Sequence, residues 1–213
     1  MLLYLVRHAQ TASSAVDSFN GRGDLPLTDQ GREQARKLGE RLKSVRFAAV
    51  ARSPLGRTKQ TAELVAPGAP HVIVEGLTEI DYGEWEGLSP AQARERDPQL
   101  YEAWLADPAR IAPPRGETAA QVAERALAGL HGVQTAFDHV GRPVLVVSHK
   151  ATLRILAAAL SEAPLSLYRR RWAQDECALN LVELRQDKDP FLRLWNDTAH
   201  LGPDPGATTR GGK

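Results

Sequence analysis

The chain has 213 residues, of which 42% are hydrophobic and 25% charged, and its formal net charge is +1. This length is enough for one well-buried core, so a single domain is the expectation. A charge so close to zero gives no reason to expect a nucleic acid or an anionic membrane as partner.

The single cysteine and the apolar runs bear on the cellular compartment. Cys177 has no second cysteine to pair with, which favours a reducing compartment, and its apolar neighbours favour a core position over a nucleophilic role. The apolar run at the N-terminus is too short for a signal peptide, and no run approaches the length of a membrane span. We therefore expect a cytoplasmic protein.

The chain opens with a short apolar run that ends in two adjacent basic side chains. Residues 2–6 have the composition of a buried central strand, and Arg7 and His8 follow where the run stops. Ligands of open α/β sheets bind beyond the carboxyl ends of the strands, so both side chains are expected at the floor of a crevice. An isolated Arg-His pair more often just closes a strand. Three further segments favour a site, because they supply a second arginine, an acid and a second histidine: residues 53–58, 77–87 and 146–150.

A polar loop and an amphipathic helix follow the first strand. The loop spans residues 10–27, and its glycine-rich centre at Asn20 and Gly21 could bring backbone N–H groups close to an anion or simply form turns. Thr28 is the expected N-cap of a helix that runs to about residue 44.

A second strand and helix introduce the second arginine. Residues 47–51 have the composition of a buried strand, and Ser53 followed by Pro54 is typical of an N-cap with proline at the first helical position. Arg57 is then expected near a helix N-terminus, where the guanidinium and the helix dipole would both favour a phosphate. The alternative is an ordinary surface arginine.

An acidic loop follows a third predicted strand at residues 72–74. Four acids in this loop are compatible with a solvated loop, with metal ligands, or with a folded loop in which one carboxyl is partly desolvated. Gly83 and Gly87, which lie next to aromatic residues, favour the folded loop. The acids are Glu79, Asp81, Glu84 and Glu86.

The second half of the chain continues the alternation of helices and strands. Residues 88–115 include a helical stretch with two prolines and several charges, and we expect them to form a cap inserted over the site. Thr118 and Gln121 form a capping box in front of the clearest amphipathic helix. A buried strand at residues 143–147 leads into His149, which repeats the pattern of the first strand.

The remaining elements complete an α/β architecture. A further helix begins after His149, and strands are expected at residues 178–184 and 191–195. Residues 202–213 have little to bury and are expected to be disordered. The alternation indicates a three-layer α/β/α sandwich with a mostly parallel central sheet, in one domain over residues 1–201.

Five segments in this order resemble the histidine phosphatase superfamily, also called phosphoglycerate mutase-like, over about residues 2–160. The first resembles the family's Arg-His-Gly signature with Ala9 in place of the usual glycine, and Lys150 likewise stands where glycine is usual. The acidic loop resembles that of the phosphatase branch. The segments are residues 5–11 (LVRHAQT), 20–28 (NGRGDLPLT) with Gly31, 53–57 (SPLGR) with 61–62 (TA), 77–87 (LTEIDYGEWEG) and 148–149 (SH).

The resemblance implies a phosphoryl-transfer site that uses neither a metal nor another cofactor. His8 would be the nucleophile that becomes phosphorylated, and Arg7, Arg57 and His149 would bind the phosphoryl oxygens. Glu79 would protonate the leaving oxygen and later activate water.

Physical chemistry agrees with these roles. Phosphoryl transfer needs in-line placement and compensation of charge on the equatorial oxygens, which two arginines and a cationic His149 would provide. His8 must instead be neutral to attack, so a hydrogen bond at one ring nitrogen should orient the other.

The resemblance also indicates substrate contacts. Asn20 and Gly21 match the family's phosphate-contacting loop, and Ser14 stands where many members carry a phosphate-binding asparagine. Lys150 is either a further phosphate or carboxylate contact or a side chain that points to solvent.

These features predict a metal-independent phosphomonoesterase, an acid-type histidine phosphatase acting on a small phosphorylated metabolite. The runner-up is a phosphoglycerate mutase, although the segment before Pro113 is short for the mutase insert. A phosphate-binding regulator and a metallohydrolase are further alternatives; the retained catalytic set counts against the first, and the lack of closely spaced ligand pairs against the second. Arg110, Arg115 and Lys150 hint at a second anionic group on the substrate. The substrate itself and the oligomeric state stay open, a homodimer included.

Overall fold

The computed structural model of the chain describes residues 1–14, 18–185 and 188–202. Of the tail predicted to be disordered, residues 203–213 lie outside the described residues.

A six-stranded sheet forms the centre of the molecule. Its strands are β1 (Leu2–Arg7), β2 (Val50–Arg52), β3 (His71–Ile73), β4 (Val144–Ser148), β5 (Leu179–Arg185) and β6 (Lys188–Asp197). Their order is β3-β2-β4-β1-β5-β6. β1 to β4 run parallel, whereas β5 is antiparallel to β1 and β6 is antiparallel to β5. The predicted mostly parallel sheet is confirmed.

Helices cover both faces of the sheet, as the sandwich prediction requires. Side chains alternate along β1, so Leu5 packs in a cluster with Leu130 on one face while Val6 packs with Leu38 on the other. The helices are α1 (Asp29–Leu42), α2 (Gly56–Val65), α3 (Pro90–Arg96), α4 (Pro98–Ala106), α5 (Ala119–Phe137), α6 (Lys150–Leu160) and α7 (Tyr168–Arg171). α1 and α2 lie on the Val6 face, and α5 and α6 on the Leu5 face.

The predicted cap contains two short helices, α3 and α4, because each of the two prolines in its helical stretch begins a new helix. Pro90 and Pro98 occupy first-turn positions behind the N-caps Ser89 and Asp97. The cap packs on the acidic loop through an aromatic cluster in which Trp85 and Trp104 cross at 5.2 Å between ring centroids. The other members of this aromatic cluster are Phe19, Tyr101 and the partly buried Tyr82.

Two element boundaries differ from the sequence prediction. The strand expected at residues 47–51 is paired only over Val50–Arg52. The apolar residues before Val50 are buried, as the pattern suggested, but they are not part of the strand ladder. The next helix begins at Gly56 and not at Pro54, and Ser53 is not its N-cap. The carboxylate of Asp24, distant in sequence, accepts the Gly56 N–H at 2.6 Å and the Arg57 N–H at 3.3 Å. The capping box of Thr118 and Gln121 is present as predicted.

The capping of the α2 N-terminus by the Asp24 carboxylate can be tested by substitution. Asp24→Ala leaves two first-turn N–H groups of α2 without their acceptor, so the free energy of unfolding should fall by about 1–2 kcal/mol. Urea denaturation monitored by circular dichroism measures this difference. Asp29→Ala, which removes an exposed carboxylate from α1, is the control and should change stability much less. Equal effects of the two substitutions would contradict the capping role.

Candidate active site

Strand ends bring the predicted catalytic side chains together. β1 and β4 are neighbouring parallel strands, and Arg7 pairs in register with Ser148, the residue before His149. The rings of His8 and His149 lie 5.2 Å apart between centroids. Arg57 donates from Nε to Nδ1 of His149 at 3.2 Å. The five residues assigned catalytic roles are all buried: Arg7, His8, Arg57, Glu79 and His149.

His8 is held in a defined tautomer. Its Nδ1 lies 2.8 Å from the carbonyl oxygen of Ala9. Because a carbonyl can only accept, Nδ1 carries the proton and Nε2 keeps its lone pair. Burial and the charges of Arg57 and Arg7 lower the pKa of His8 well below 6.5, so the ring is neutral at pH 7. These are the properties of a nitrogen nucleophile.

His149 is also neutral, which differs from the cation expected from sequence. A guanidinium cannot accept, so the bond from Arg57 assigns a lone pair to Nδ1 and the proton to Nε2. Nε2 then donates to Oγ of the buried Ser53 at 2.8 Å. Burial and the charges of Arg57, His8 and Arg7 lower the pKa of His149 well below 6.5. Positive charge in the unliganded site therefore comes from the arginines.

Arg7 is oriented by the segment that leads into β5. Its Nη1 donates to the carbonyl of Gln174 at 2.8 Å, and its Nη2 lies 3.6 Å from the Glu176 carboxylate. Its buried Nε has no hydrogen-bond partner among the described residues. The guanidinium is thus fixed on one side and keeps a free donor.

The glycine-rich loop is held by its backbone groups. Arg57 donates from Nη2 to the carbonyl of Gly21 at 2.7 Å and from Nη1 to that of Gly23. The Gly21 and Arg22 N–H groups donate to the carboxylate of Glu86 at 3.0–3.1 Å. The anion held by this loop is therefore a side chain of the protein, and the Gly21 amide predicted to contact substrate is already engaged.

The other residues predicted to contact substrate are Ser14, Asn20 and Lys150. The Ser14 hydroxyl donates to the Thr11 carbonyl and accepts from the Thr11 N–H, so it closes a turn. The Asn20 side chain donates to Oγ of Ser13 at 2.5 Å. Lys150 is exposed and is the first residue of α6. Contact of these residues with substrate stays a prediction.

Glu79 is positioned by the N-terminus of α6. Its Oε1 accepts from the Ile80 N–H and from both the N–H and hydroxyl of Thr152, at 2.9–3.0 Å. Among the described residues, its Oε2 accepts only from the Ala151 N–H, at 3.0 Å. The second oxygen therefore has room to carry a proton.

Several residues that hold the site were not predicted as functional. Arg125 on α5 donates to the carbonyls of Thr78 and Glu79 and pairs with Glu117 at 2.9 Å, which fixes the backbone of the acidic loop. Glu86 and Ser53 act similarly on the glycine-rich loop and on His149. No signal of local periodicity marks such contacts, because each joins segments far apart in the chain.

The cap arginines occupy exposed positions. The side chains of Arg110 and Arg115 are 87% and 82% exposed, and Arg115 pairs with Glu84 at 2.9 Å. Within residues 1–14, 18–185 and 188–202, no group of three or more histidine, cysteine or acidic side chains has the arrangement of a metal site. No helix in the same part of the chain is long and apolar enough to span a membrane.

Comparison with known proteins identifies the family. A model of the histidine phosphatase superfamily (branch 1) matches residues 3–198, and the chain belongs to this superfamily. The computed structure is similar to that of Bacillus stearothermophilus YhfR, with a TM-score of 0.87 and 32% identity over 94% of this chain and 98% of the other. The adenosylcobalamin/alpha-ribazole phosphatase of Escherichia coli is 34% identical over 93% of this chain and 97% of that protein.

A longer relative shows that this unit also occurs within larger proteins. A bifunctional protein of Mycobacterium tuberculosis is 37% identical over 203 residues. The match covers 93% of this chain but only 54% of the mycobacterial protein, so the chain spans about half of that relative's length.

The neutral histidines predict a dependence of stability on pH. Unfolding returns His149 to an ordinary pKa near 6.5, so below that pH the unfolded state binds more protons and stability falls as pH falls. His149→Gln should remove up to about 1.4 kcal/mol per pH unit from the slope below pH 6.5, and urea titrations between pH 7.5 and 5.5 measure this.

The comparison is between slopes, because other histidines contribute to the wild-type slope. The pKa values of His8, His71 and His200 are also lowered, chiefly by burial. His131→Gln, on an exposed part of α5, is the control for the same exchange outside the site. A His149→Gln slope equal to that of the wild type would show that folding does not lower the pKa of His149.

Proposed function

We propose that the protein is a metal-independent phosphomonoesterase that transfers the phosphoryl group of a small metabolite first to His8 and then to water. The observation that carries the proposal is the Nε2 lone pair of His8, fixed by the Nδ1 bond to Ala9, beside two buried arginines. The superfamily membership and the phosphatase relatives support it.

In the first step, Nε2 of His8 attacks phosphorus as the bond to the leaving oxygen breaks. Arg7 and Arg57 compensate the charge on the equatorial oxygens, and the unpartnered Nε of Arg7 supplies a donor that the protein leaves free. The proton on Glu79 Oε2 moves to the leaving oxygen, so the product departs as a neutral alcohol.

In the second step, water attacks the phosphohistidine. Glu79, now ionised, takes the proton of that water, and the N–P bond breaks to release inorganic phosphate. His8 returns to its neutral tautomer with Nδ1 bound to Ala9. Glu79 returns to its protonated form, so the cycle is closed.

The acid-type assignment also belongs to this proposal. His8 must be neutral to attack, and its pKa lies well below 6.5. Nucleophilic competence should therefore persist on the acid side of pH 6.5, where an ordinary histidine would be mostly protonated.

The first test is phosphate release from a panel of phosphomonoesters in the presence of EDTA. The wild type should turn over at least one ester without added metal, and His8→Ala should release no phosphate. Glu79→Gln should lower kcat by roughly 10²–10⁴, because the proton transfers are lost. Rapid quenching followed by mass spectrometry should locate the phosphoryl group on His8.

The controls separate this proposal from its alternatives. His139→Ala, in the turn after α5, should retain wild-type turnover. Activity abolished by EDTA would favour a metallohydrolase. Interconversion of phosphoglycerate isomers without phosphate release would identify a mutase, and binding of phosphate without either reaction would identify a regulator.

A further inference from the structure

The in-line geometry of the proposed reaction determines where the leaving group lies. The nucleophile and the leaving oxygen occupy opposite sides of phosphorus, and the leaving oxygen must reach the proton on Glu79. The alcohol part of the substrate is therefore expected beside Glu79, on the side away from His8. The subsite inferred below rests on the proposed function, because the position of the leaving group follows from attack by His8.

Tyr168 belongs to the buried cluster that surrounds the backbone groups holding Glu79. It packs in one buried cluster with Ile80 and Ala151, whose N–H groups both donate to the Glu79 carboxyl. Tyr82 packs against the same cluster. Burial raises the pKa of Tyr168 to about 12 and that of Tyr82 well above 10, and the Glu79 charge acts on both hydroxyls.

Two arginines stand next to these tyrosines. Arg154, on α6, donates from Nη2 to the backbone carbonyl of Arg169. The guanidinium of Arg169 lies 4.2 Å from the ring centroid of Trp104 in the cap. The positive charges of both arginines act on the hydroxyls of Tyr82 and Tyr168, so the four side chains form one electrostatic unit.

The unit contains donors that the protein leaves unused. Arg154 Nε, Arg169 Nη1 and the Tyr168 hydroxyl are buried without a hydrogen-bond partner among the described residues. Neither arginine forms an ion pair with a carboxylate in that part of the chain. Buried polar groups are normally paired, so three unpaired donors at one place indicate a missing acceptor.

We propose that Tyr82, Arg154, Tyr168 and Arg169 form a leaving-group subsite that binds a carboxylate carried by the alcohol part of the substrate. Guanidinium groups match the planar, two-oxygen geometry of a carboxylate, and the Tyr168 hydroxyl supplies a third donor.

A purely structural role accounts for only part of these contacts. Stacking on Trp104 and the Arg154 bond to the Arg169 carbonyl would tie α6 and α7 to the cap. Neither contact uses Arg154 Nε or Arg169 Nη1. Leaving such donors buried and unpaired costs stability unless a ligand satisfies them.

The test uses two esters that differ only in the carboxylate, O-phosphoserine and O-phosphoethanolamine. The wild type should favour phosphoserine in kcat/KM by roughly 10–100-fold, the discrimination expected for charged hydrogen bonds. Arg154→Gln and Arg169→Gln should each bring this ratio towards one, mainly by raising KM for phosphoserine. The ratio cancels any change in the fraction of folded enzyme, because both esters are measured on the same protein.

Arg170→Gln is the matched control, because this neighbouring arginine is exposed and contacts only the Leu105 carbonyl in the described structure. It should keep the wild-type ratio. A wild-type ratio near one, or an equal loss for both esters in the two variants, would overturn the subsite while leaving the phosphatase proposal intact. A stronger preference for propane-1,3-diol bisphosphate over its monophosphate than for phosphoserine over phosphoethanolamine would overturn the carboxylate assignment. No release from any ester would overturn the phosphatase proposal and the subsite with it.

Discussion

The burial of Arg57 is the constraint on which the rest of the site depends. A guanidinium that is 1% exposed needs hydrogen-bond acceptors within the protein, since unpaired buried charge is costly. Two acceptors are backbone carbonyls of the glycine-rich loop, and the third is the ring nitrogen of His149. Because that nitrogen must keep its lone pair, the arginine also sets the protonation state of the histidine. One side chain therefore fixes both the shape of a loop and the charge of the site.

The same constraint explains why the arginines of the site are charged while the histidines are neutral. Two arginines and two histidines at close range could not all be cationic without strong repulsion in a buried site. The histidines become the neutral members, and the arginines carry the charge. Glu176 beside Arg7 and Asp24 near Arg57 offset part of it from outside the reaction centre. A neutral nucleophile next to permanent cations is suited to a phosphoryl dianion.

The sequence predicted the positions of residues at strand ends better than it predicted the contacts that orient them. Arg7 and His149 could be placed at one edge of the sheet, because apolar runs mark buried strands and parallel neighbours end on the same side. The engagement of the Gly21 amide by Glu86 could not be predicted, since the two residues are 65 positions apart and no local pattern links them. The prediction that His149 is cationic was wrong for a related reason. Protonation there depends on an arginine 92 positions away and on burial, and neither quantity is a property of the local sequence.

On the side of the site that faces the leaving group, the local sequence was an even poorer guide to the important contacts. The arginines that sequence position suggested for a second anion, Arg110 and Arg115, lie in a loop and remain almost fully in solvent, where a charge is screened and discriminates weakly. Arg154 and Arg169 carry no motif, yet helix packing brings them together where water is largely excluded. A charge at such a place interacts more strongly with a ligand, because the local dielectric is lower and its donors have no competing partner. The proposed subsite therefore makes substrate selection in this chain depend on how α6 and α7 pack against the cap, and not on the motifs that define the chemistry.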